Sequence, residues 1–378
     1  MIYLDHAAST PVRREVLEAM WPYLTGEYGN PSSHHTVGES AAAVLASARS
    51  SIAAVLGVRP AELIFTSGGT ESDNLAVKGI TLASTRGRHV ITSAIEHEAI
   101  LESIDYLVRH HGATTTILPV NEEGLVSAET LHQAIRPDTA LVTIQHANNE
   151  IGTVQDVATL AAIARDAGVP FHTDAVQSAG WLPLAALVGA GIGVDALSLA
   201  GHKLGTPKGI GLLFVRAGVP LEPLLHGGGQ ERGRRSGTEN AAAAVGLSVG
   251  LSLAHTSPGP QRDALIDGVL AAVPSAFVTG SRTSRLPNHA SFCFPGTSGE
   301  AVLLELERHG IVCSSGSACA AGSDEASHVL LALGIEAQVA QTAVRFTLDG
   351  ATTSDQVSEV IERVTDAVAT VGGLSTPR

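Results

Sequence analysis

Short runs of β-branched residues alternate with longer alanine-rich segments through the first half of the chain. Seven runs predict strands: ELIFT (62–66), HVITS (89–93), TTTIL (114–118), ALVTIQ (140–145), PFHTD (170–174), DALSL (195–199) and GLLFV (211–215). The segments between or before them predict helices over 39–56, 71–84, 98–110, 127–135 and 156–167. Strands and helices that alternate at this spacing favour a largely parallel sheet with helices on both faces.

The pattern changes after about residue 255. A helix over 261–272 leads to the strands AFVTG and ASFCF, the helix GEAVLLELERHG, the strand TAVRFTL and an amphipathic helix near 354–370. The segment HTSPGP between the two regions has the composition of a loop. We therefore predict an α/β protein with a large domain over 13–257. A smaller α+β domain is predicted from 1–12 together with 258–378.

Composition excludes several classes of protein. Hydrophobic residues make up 44% of the 378 residues and the net charge is −14, which argues against disorder, direct nucleic-acid binding and a polybasic membrane anchor. Three cysteines do not form a disulfide framework and fit a reducing compartment. MIYLDHAAST lacks the pattern of a secretory signal, and no uninterrupted apolar run approaches the roughly 18–20 residues of a membrane span. We expect a cytoplasmic protein.

Ligands of open α/β sheets bind beyond the carboxyl ends of the strands, so the residues after each strand are candidates for a site. Ser67-Gly-Gly-Thr-Glu71 follows the first strand and opens a helix. Its glycines expose backbone N–H groups, and Thr70 can cap the helix and donate, which indicates a cradle for a phosphate or carboxylate. A Walker-type loop is excluded, because GxxxxGK[ST] does not occur.

Further polar residues follow three other strands. They are Asn148, Asn149 and Glu150 after ALVTIQ, Asp174 and Gln177 at PFHTD, and His202 and Lys203 after DALSL. Each alone has a structural explanation as a turn, a helix cap or a solvated lysine. Together they place a carboxylate, an amide, an amine and an anion cradle on one rim. A lysine for a Schiff base and a carboxylate for a ring nitrogen are the equipment for pyridoxal phosphate (PLP).

The segment CSSGSACAAGS (313–323) carries two of the three cysteines among small residues only. It has two interpretations: a buried structural thiol, or a reactive thiol on a loop that moves. The same composition also suits a tight static turn. Cys313 is interpreted as buried near a strand end, and Cys293, inside ASFCF, as a core residue.

Ten motifs spread nearly end to end carry a specific resemblance. They are YLDHAASTPV (3–12), GNPSSHH (29–35), FTSGGTESDN (65–74), EHEAI (96–100), NNEIG (148–152), HTDAVQ (172–177), GHK (201–203), HGGGQERGRRSGT (226–238), SSGSAC (314–319) and VRFTL (344–348). The chain resembles cysteine desulfurases of the NifS/IscS type, which are class V aminotransferases of PLP fold type I, the aspartate aminotransferase-like fold. The resemblance implies conversion of L-cysteine to L-alanine, with the sulfur passed to an enzyme cysteine and then to an acceptor protein.

The resemblance also implies roles for individual residues. Lys203 forms the Schiff base with PLP, Asp174 pairs with the pyridine nitrogen and Gln177 hydrogen-bonds the phenolic oxygen. Gly69, Thr70 and His202 hold the phosphate, with Thr238 from the neighbouring subunit of a homodimer. His97 stacks on the ring and helps to transfer protons. Asn149, which also contacts the cofactor, binds the substrate carboxylate with Arg345, and Asn30 joins the substrate site. Cys319 is the nucleophile that takes the sulfur.

Two features qualify the resemblance. The family often has Ser-x-Ser-Gly-His-Lys, whereas this chain has Ser198-Leu-Ala200-Gly-His-Lys. One hydroxyl donor to the phosphate is therefore missing, a loss of about 0.5–1.5 kcal/mol that weakens PLP binding without abolishing it. The loop that reaches to about Ser327 is typical of the subgroup that serves scaffold-type acceptors. Iron–sulfur assembly, tRNA thiolation and DNA phosphorothioation are all open as destinations of the sulfur.

Alternative functions remain open at this point. A selenocysteine lyase or another class V aminotransferase would share the fold and the cofactor. A non-catalytic scaffold would often have lost Lys203, Asp174 or Cys319, and all three are present. HGGG (226–229) is similar to an oxyanion-hole motif of serine hydrolases, but the G-x-S-x-G elbow is missing. The 16 histidines show no HExxH or CxxC spacing, and we predict no bound metal.

Overall fold

A seven-stranded sheet forms the centre of the protein in a computed structural model, which describes residues 1–189, 193–253, 255–315 and 326–374. Its strands are β2 (Leu63–Thr66), β3 (His89–Ser93), β4 (Thr114–Leu118), β5 (Thr139–Thr143), β6 (Phe171–Asp174), β7 (Ala196–Ala200) and β8 (Gly211–Val215). Their order across the sheet is β2-β8-β7-β6-β5-β3-β4. Strands β7, β6, β5, β3 and β4 are parallel, and β8 runs antiparallel to both β2 and β7. The predicted largely parallel sheet is confirmed.

Helices cover both faces of this sheet. They are α1 (Arg14–Thr25), α2 (Thr36–Leu56), α3 (Gly69–Ala83), α4 (Glu98–His111), α5 (Ala128–Ala134), α6 (Val157–Asp166), α7 (Ala185–Val188) and α8 (Ala241–Ser252). One hydrophobic cluster joins α2, α6 and α8 to the sheet through residues such as Ile52, Leu160 and Leu247. A second cluster joins α3 and α4 to it through residues such as Ile80 and Ile104. The two clusters explain why the central strands are apolar on both sides.

A smaller α+β region has its own core. Its antiparallel sheet has the order β12-β10-β9, with β9 (Phe277–Val278), β10 (His289–Cys293) and β12 (Ala343–Thr347). Strands β1 (Ile2–Tyr3) and β11 (Ile311–Val312) form a parallel pair beside it, and the helices are α9 (Gly259–Ala272), α10 (Gly299–Arg308), α11 (His328–Ala332), α12 (Ala337–Ala340) and α13 (Ser354–Leu374). Leu4 packs into the same hydrophobic cluster as Phe292 and Phe346. The domain boundaries at 12/13 and 257/258 stay a prediction.

Helix α2 is the one described helix long and apolar enough, by length and composition, to cross a membrane. It lies instead against the central sheet, where Leu45, Ile52 and Leu56 belong to the main hydrophobic cluster. Glu39 and Arg49 interrupt its apolar sequence. We therefore interpret α2 as a helix of the protein core.

Helices α1 and α8 were not predicted from the sequence. Helix α8 has the sequence AAAAVGLSVGLS, which consists of small residues and shows no amphipathic period. It packs against α1 so closely that a Cβ atom on Gly246 would lie 2.5 Å from Sδ of Met20. Helix α1 buries Val16 and Met20 on one face, whereas close packing through glycine rather than a hydrophobic stripe places α8.

Candidate active site

A cavity of about 340 Å³ opens at the carboxyl ends of the central strands. Nine of the predicted site residues line it: Gly69, Thr70, His97, Asn149, Asp174, Gln177, His202, Lys203 and Arg345. They come from five places on the rim of the large sheet and from the small sheet. The rule that polar residues after parallel strands meet at one edge therefore located most of this site.

The N-terminus of α3 forms one end of the cavity. Gly68 is the N-cap of α3 and provides no side-chain cap, so the expectation that Thr70 caps this helix is wrong. A Cβ atom on Gly69 would lie 2.9 Å from Cγ2 of Val176, and one on Gly211 would lie 2.6 Å from Cα of Gly68. Glycine at these positions lets the strand-to-helix turn approach its neighbours and leaves the first N–H groups of α3 available to an anion.

Lys203 ends a short 3₁₀ helix (Gly201–Lys203) that follows β7 directly. Its Nζ donates to the carbonyl oxygens of Ala7 and Ala8, the second at 2.8 Å. Nε2 of Gln177 donates to the same Ala7 oxygen at 3.0 Å. Backbone of the N-terminal segment thus forms a wall of the cavity. Ala7 and Ala8 were not among the residues that the sequence predicted for the site.

The two cavity histidines differ in their hydrogen bonds. His97 is the N-cap of α4, and its Nδ1 accepts from the N–H of Ala99 at 3.0 Å. In a neutral His97 ring the proton therefore lies on Nε2. Burial, together with the nearby cations Lys203 and Lys208, lowers the pKa of His202 to about 4. His202 is consequently a neutral ring near pH 7.

Asp174, the last residue of β6, lies on the floor of the cavity. Its Oδ1 accepts from the N–H of Val176 at 2.8 Å. Burial raises the pKa of Asp174, while the positive charges of His97 and Lys203 and the Val176 hydrogen bond act in the opposite direction. The floor therefore presents a carboxyl group whose charged form gains from a further positive partner.

Two more buried carboxyl groups lie close to Asp174 and were not predicted. Asp73, on α3, lines the same cavity. Glu96 precedes His97, and its Oε1 accepts from Oγ of Ser93 at 2.6 Å. Burial raises the pKa of Glu96 to about 8. Both residues stand in quoted motifs, but the sequence analysis did not assign either side chain to the site.

Arg345 reaches the cavity from the centre of β12. Its Nη2 donates to Oδ1 of Asp5 at 2.7 Å, and its Nη1 donates to the backbone oxygen of Asn149 at 2.9 Å. Nε of Arg345 is buried and has no hydrogen-bond partner within the described ranges. The guanidinium is thus held on two sides, and its Nε–H is suited to a charge-assisted hydrogen bond with a ligand.

Three predicted site residues are not in this cavity. Asn30 is exposed, and its Oδ1 accepts from the N–H of Ser32 at 2.9 Å in a local turn. Thr238 is also exposed, in the segment that the resemblance gives to a neighbouring subunit. Cys319 lies outside the described residues. The roles of these three residues stay predictions.

The two described cysteines have raised pKa values. Cys293 is fully buried in β10, and burial raises its pKa to about 12. Cys313 directly follows β11 and is half-buried as a residue, and burial raises the pKa of its thiol. Both thiols are therefore protonated at neutral pH and poor nucleophiles. The core interpretation of Cys293 agrees with its place in β10.

Sequence and structure comparisons agree with this geometry. The family model for class V aminotransferases matches residues 2–360. The chain belongs to the class V aminotransferase family. It is 42% identical over 381 residues to a cysteine desulfurase IscS of Dictyoglomus turgidum, which covers 98% of this chain and 96% of that protein.

Solved structures place the chain within the same family. A NifS-like protein has a TM-score of 0.89 at 35% identity and covers 98% of this chain and 99% of that chain. A structure described as SspA in complex with cysteine has a TM-score of 0.83 at 37% identity and covers 93% of this chain and 100% of that chain. The chain is a class V aminotransferase of the NifS/IscS cysteine desulfurase type, with the fold predicted from its motifs. Membership of this family implies dependence on PLP.

A second structural feature of this class V chain is the segment 226–238. Arg235 pairs with Glu71 of the first α3 turn at 2.9 Å. Glu231, four residues before Arg235, pairs with Arg49 of α2 at 2.6 Å. These contacts hold the segment that contains Thr238 near the anion-binding end of the cavity, although Thr238 itself is exposed and does not line the cavity.

Proposed function

We propose that the protein is a PLP-dependent cysteine desulfurase that converts L-cysteine to L-alanine and transfers the sulfur to Cys319. One observation carries the proposal. The amine of Lys203, the buried carboxyl of Asp174 and the free N-terminus of α3 surround a single cavity. These are the groups that a pyridine ring with an aldehyde and a phosphate requires at three different positions.

The residues present fit PLP. The uncapped N–H groups of α3 and the neutral ring of His202 would hold the phosphate. Asp174 would pair with the ring nitrogen, and Lys203 would hold the cofactor covalently. Ala200 lines the cavity where the resemblance leads us to expect a hydroxyl donor. Bound PLP supplies an electron sink that stabilises negative charge at the substrate Cα.

Arg345 is the residue that binds the substrate carboxylate. Its Nε–H is buried and has no partner among the described residues, so a carboxylate that enters the cavity satisfies it and gains a charge-assisted hydrogen bond. Asn149 lines the cavity next to this guanidinium and joins the same subsite. Together they orient L-cysteine so that its Cα–H faces the amine of Lys203.

Lys203 and His97 move the protons. The Lys203 amine accepts the proton from Cα, because it is the basic group that the cavity places beside the cofactor. The Nδ1 of His97 is occupied by Ala99, so His97 exchanges protons through Nε2, on the cavity side of the ring. Its proposed partner is the departing substrate sulfur.

Cys319 receives the sulfur as a thiolate. One S–S bond forms between Cys319 and the substrate sulfur, and the Cβ–S bond breaks. The electron pair of that bond stays on the carbon fragment, which takes up protons and leaves as L-alanine. Cys319 then carries a persulfide, and no external oxidant or reductant is needed. Neither Cys293 nor Cys313 suits this role, since burial keeps their thiols protonated.

The test is an absorbance spectrum between 300 and 500 nm followed by an assay of alanine and sulfide with L-cysteine and dithiothreitol, a thiol that reduces the persulfide and releases its outer sulfur as sulfide. A lysine Schiff base to PLP gives a band near ~420 nm. Wild type should be yellow and produce both products. Lys203→Ala should lack the band, whereas Cys319→Ser should keep the band and lose sulfide production.

Cys313→Ser is the matched control, because it removes a thiol six positions away in the same segment. It should retain the band and the activity. A wild-type protein that stays colourless with added PLP would remove the assignment of Lys203. Sulfide production by Cys319→Ser equal to wild type would favour a lyase or a transaminase of the same fold.

We further propose a cytoplasmic homodimer in which Thr238 of a second copy completes the phosphate site. The support is the exposure of Thr238 and the anchoring of its segment by Arg235 and Glu71. Light scattering should give twice the chain mass, and Thr238→Ala should weaken PLP binding without changing that mass. The acceptor of the sulfur is proposed to be a protein that approaches Cys319, and the three destinations remain equivalent candidates.

A further inference from the structure

Asp73 is a buried carboxyl to which the proposed reaction gives no role. It lies on α3 one helical turn after Gly69, is 1% exposed and lines the same cavity as Asp174. Across the described parts of the chain, Oδ1 of Asp73 has no hydrogen-bond partner. A buried oxygen without a partner costs stability, so its presence in this position calls for an explanation.

The basic group nearest to Asp73 does not neutralise it. Nε2 of His172 lies 3.8 Å from Oδ1 of Asp73, but this nitrogen is already 3.0 Å from Oγ of Ser198. The other ring nitrogen is 2.9 Å from Oγ1 of Thr143. Burial lowers the pKa of His172 to about 3. The ring is therefore neutral near pH 7 and provides no counter-charge.

Two carboxyl groups from neighbouring elements act on Asp73, namely Asp174 at the end of β6 and Glu96 after β3. Burial, followed by the charge of Asp174, raises the pKa of Asp73 well above its ordinary value, and Glu96 adds to this. The hydroxyl of Ser198 opposes the shift. Three carboxyl groups in a region of low dielectric cannot all ionise.

The positive groups of the site decide which carboxyl keeps its charge. His97 and Lys203 both favour the ionised form of Asp174. His97 also favours the ionised form of Glu96, although burial dominates there. The groups that shift the pKa of Asp73 include no cation. The arrangement thus concentrates negative charge on the one carboxyl that faces the proposed ring nitrogen.

We propose that Asp73 is a positioning residue for the cofactor site: a neutral carboxylic acid that confines the negative charge of the carboxyl cluster to Asp174. The inference rests on the proposed function in so far as Asp174 pairs with the PLP ring nitrogen. A neutral acid can donate as well as accept a hydrogen bond. It therefore polarises the floor of the cavity without adding a second anion that competes for the same proton.

The first test is an infrared spectrum of the PLP-loaded protein near pH 7. A protonated carboxyl has a C=O stretch that ionised carboxylates lack, and exchange into D₂O shifts it. The difference between wild type and Asp73→Asn should contain this band. Asp166→Asn, at a side chain that is 79% exposed, should give no such band and is the matched control. Absence of the band from the Asp73→Asn difference would overturn the proposal.

The second test measures thermal unfolding of the cofactor-free protein against pH. A carboxyl whose pKa is higher in the folded than in the unfolded state binds a proton on folding, so its contribution weakens as pH rises above about 4. Asp73→Asn removes this dependence. Its unfolding midpoint relative to wild type should rise between pH 4 and pH 7. If the unfolding midpoint of Asp73→Asn relative to wild type stays constant or falls between pH 4 and pH 7, Asp73 is not protonated in the folded protein and the proposal is contradicted.

The third test separates positioning from packing. In the PLP-loaded protein, the absorbance near ~420 nm should titrate with pH, and Asp73→Asn, which keeps a polar donor, should titrate like wild type. Asp73→Leu should shift the titration midpoint by about one pH unit, which is the size of one pKa unit of differential interaction. Identical midpoints for all three proteins would leave Asp73 a packing residue and overturn the proposal. The infrared and unfolding results do not depend on desulfurase activity, so they distinguish this failure from failure of the proposed function.

Discussion

Glu231 and Asp73 are both buried acids, but their surroundings are opposite. Glu231 accepts from Nη1 and Nη2 of Arg49 at 2.8 and 2.6 Å and from the N–H of Phe65 at 3.2 Å. Asp73 has two carboxyl neighbours and an oxygen that no residue in the described part of the chain hydrogen-bonds. Glu231 fixes a segment in which it and Arg232 have φ values of 48° and 60°, in the left-handed region. The acid that maintains the fold has its counter-charge in its own chain, whereas the charge of the cavity acids gains a full counter-charge only when a ligand binds.

The largest effect on stability should come from breaking the Glu231 pair. Arg49→Met leaves a buried carboxylate without its cation, which costs about 3–5 kcal/mol of the free energy of unfolding. Denaturant unfolding measures this loss. Arg14→Met is the control, because its partner Glu18 is exposed and such pairs contribute about 0–1 kcal/mol. A loss of under about 1 kcal/mol in Arg49→Met would remove the distinction between the two kinds of acid.

Asp174→Asn should lower activity and leave stability unchanged, whereas Arg49→Met lowers stability. Removal of one preorganised electrostatic partner lowers kcat by about 10²–10³-fold. Stability near pH 7 should not fall, because burial raises the pKa of Asp174 in the free protein and the amide carries no charge to bury. Steady-state kinetics and thermal unfolding of the cofactor-free protein check the two halves. An Asp174→Asn protein that is less stable than wild type but fully active would contradict the distinction between acids of the fold and acids of the cavity.

Asp5→Ala tests an ion pair that lies between these extremes, since Arg345 is paired with Asp5 while its Nε–H has no partner in the ranges that the structure describes. A charge-assisted hydrogen bond contributes about 1.5–3 kcal/mol, so loss of the Asp5 contact should raise the KM for L-cysteine about tenfold or more. Inhibition by cysteamine, which lacks the carboxylate, should change little. Equal losses for both compounds would mean that Asp5 supports the fold rather than the orientation of Arg345.

Glu62→Gln should give the smallest effect and a distinct pH dependence. Burial raises the pKa of Glu62, but hydrogen bonds from the Arg59 side chain and from the N–H groups of Ala217 and Arg59 outweigh it and bring the pKa to about 2. The ionised form therefore stabilises the fold above about pH 4.5, and this contribution disappears as pH falls towards 2. Because Arg59 is largely exposed, we expect a loss of about 1 kcal/mol at pH 7. An unfolding difference that persists at pH 2 would contradict this account.

The sequence was sufficient for the large sheet and for the part of the site that follows its strands. Asp174 and Lys203 were found because each directly follows an apolar run and because parallel strands end at one edge. His97 and Arg345 came from the resemblance alone. Residues 316–325 lie outside the described ranges, so the two interpretations of Cys319 are not separated by the fold.

The carboxyl cluster and the Asp5 contact were missed for a physical reason. Asp73 stands among polar residues at a helix start, where such residues are usually exposed. One signal was available: position 73 is four residues after Gly69 and therefore on the same face of α3. No comparable signal exists for Asp5, because its contact with Arg345 spans 340 positions and depends on how the two sheets meet.

The N-terminal wall of the cavity has a consequence for biosynthesis. The N–H of Ala7 donates to Oγ1 of Thr347 at 2.8 Å, across 340 positions of the chain. Ribosomes add about 5–20 residues per second, so Asp5 and Ala7 wait roughly 20–70 s before their partners in β12 have been synthesised. Until then the Lys203 amine faces a cavity that lacks one side. Cofactor capture is consequently tied to the end of translation, and a nascent chain arrested before β12 should be colourless however well its central sheet has folded.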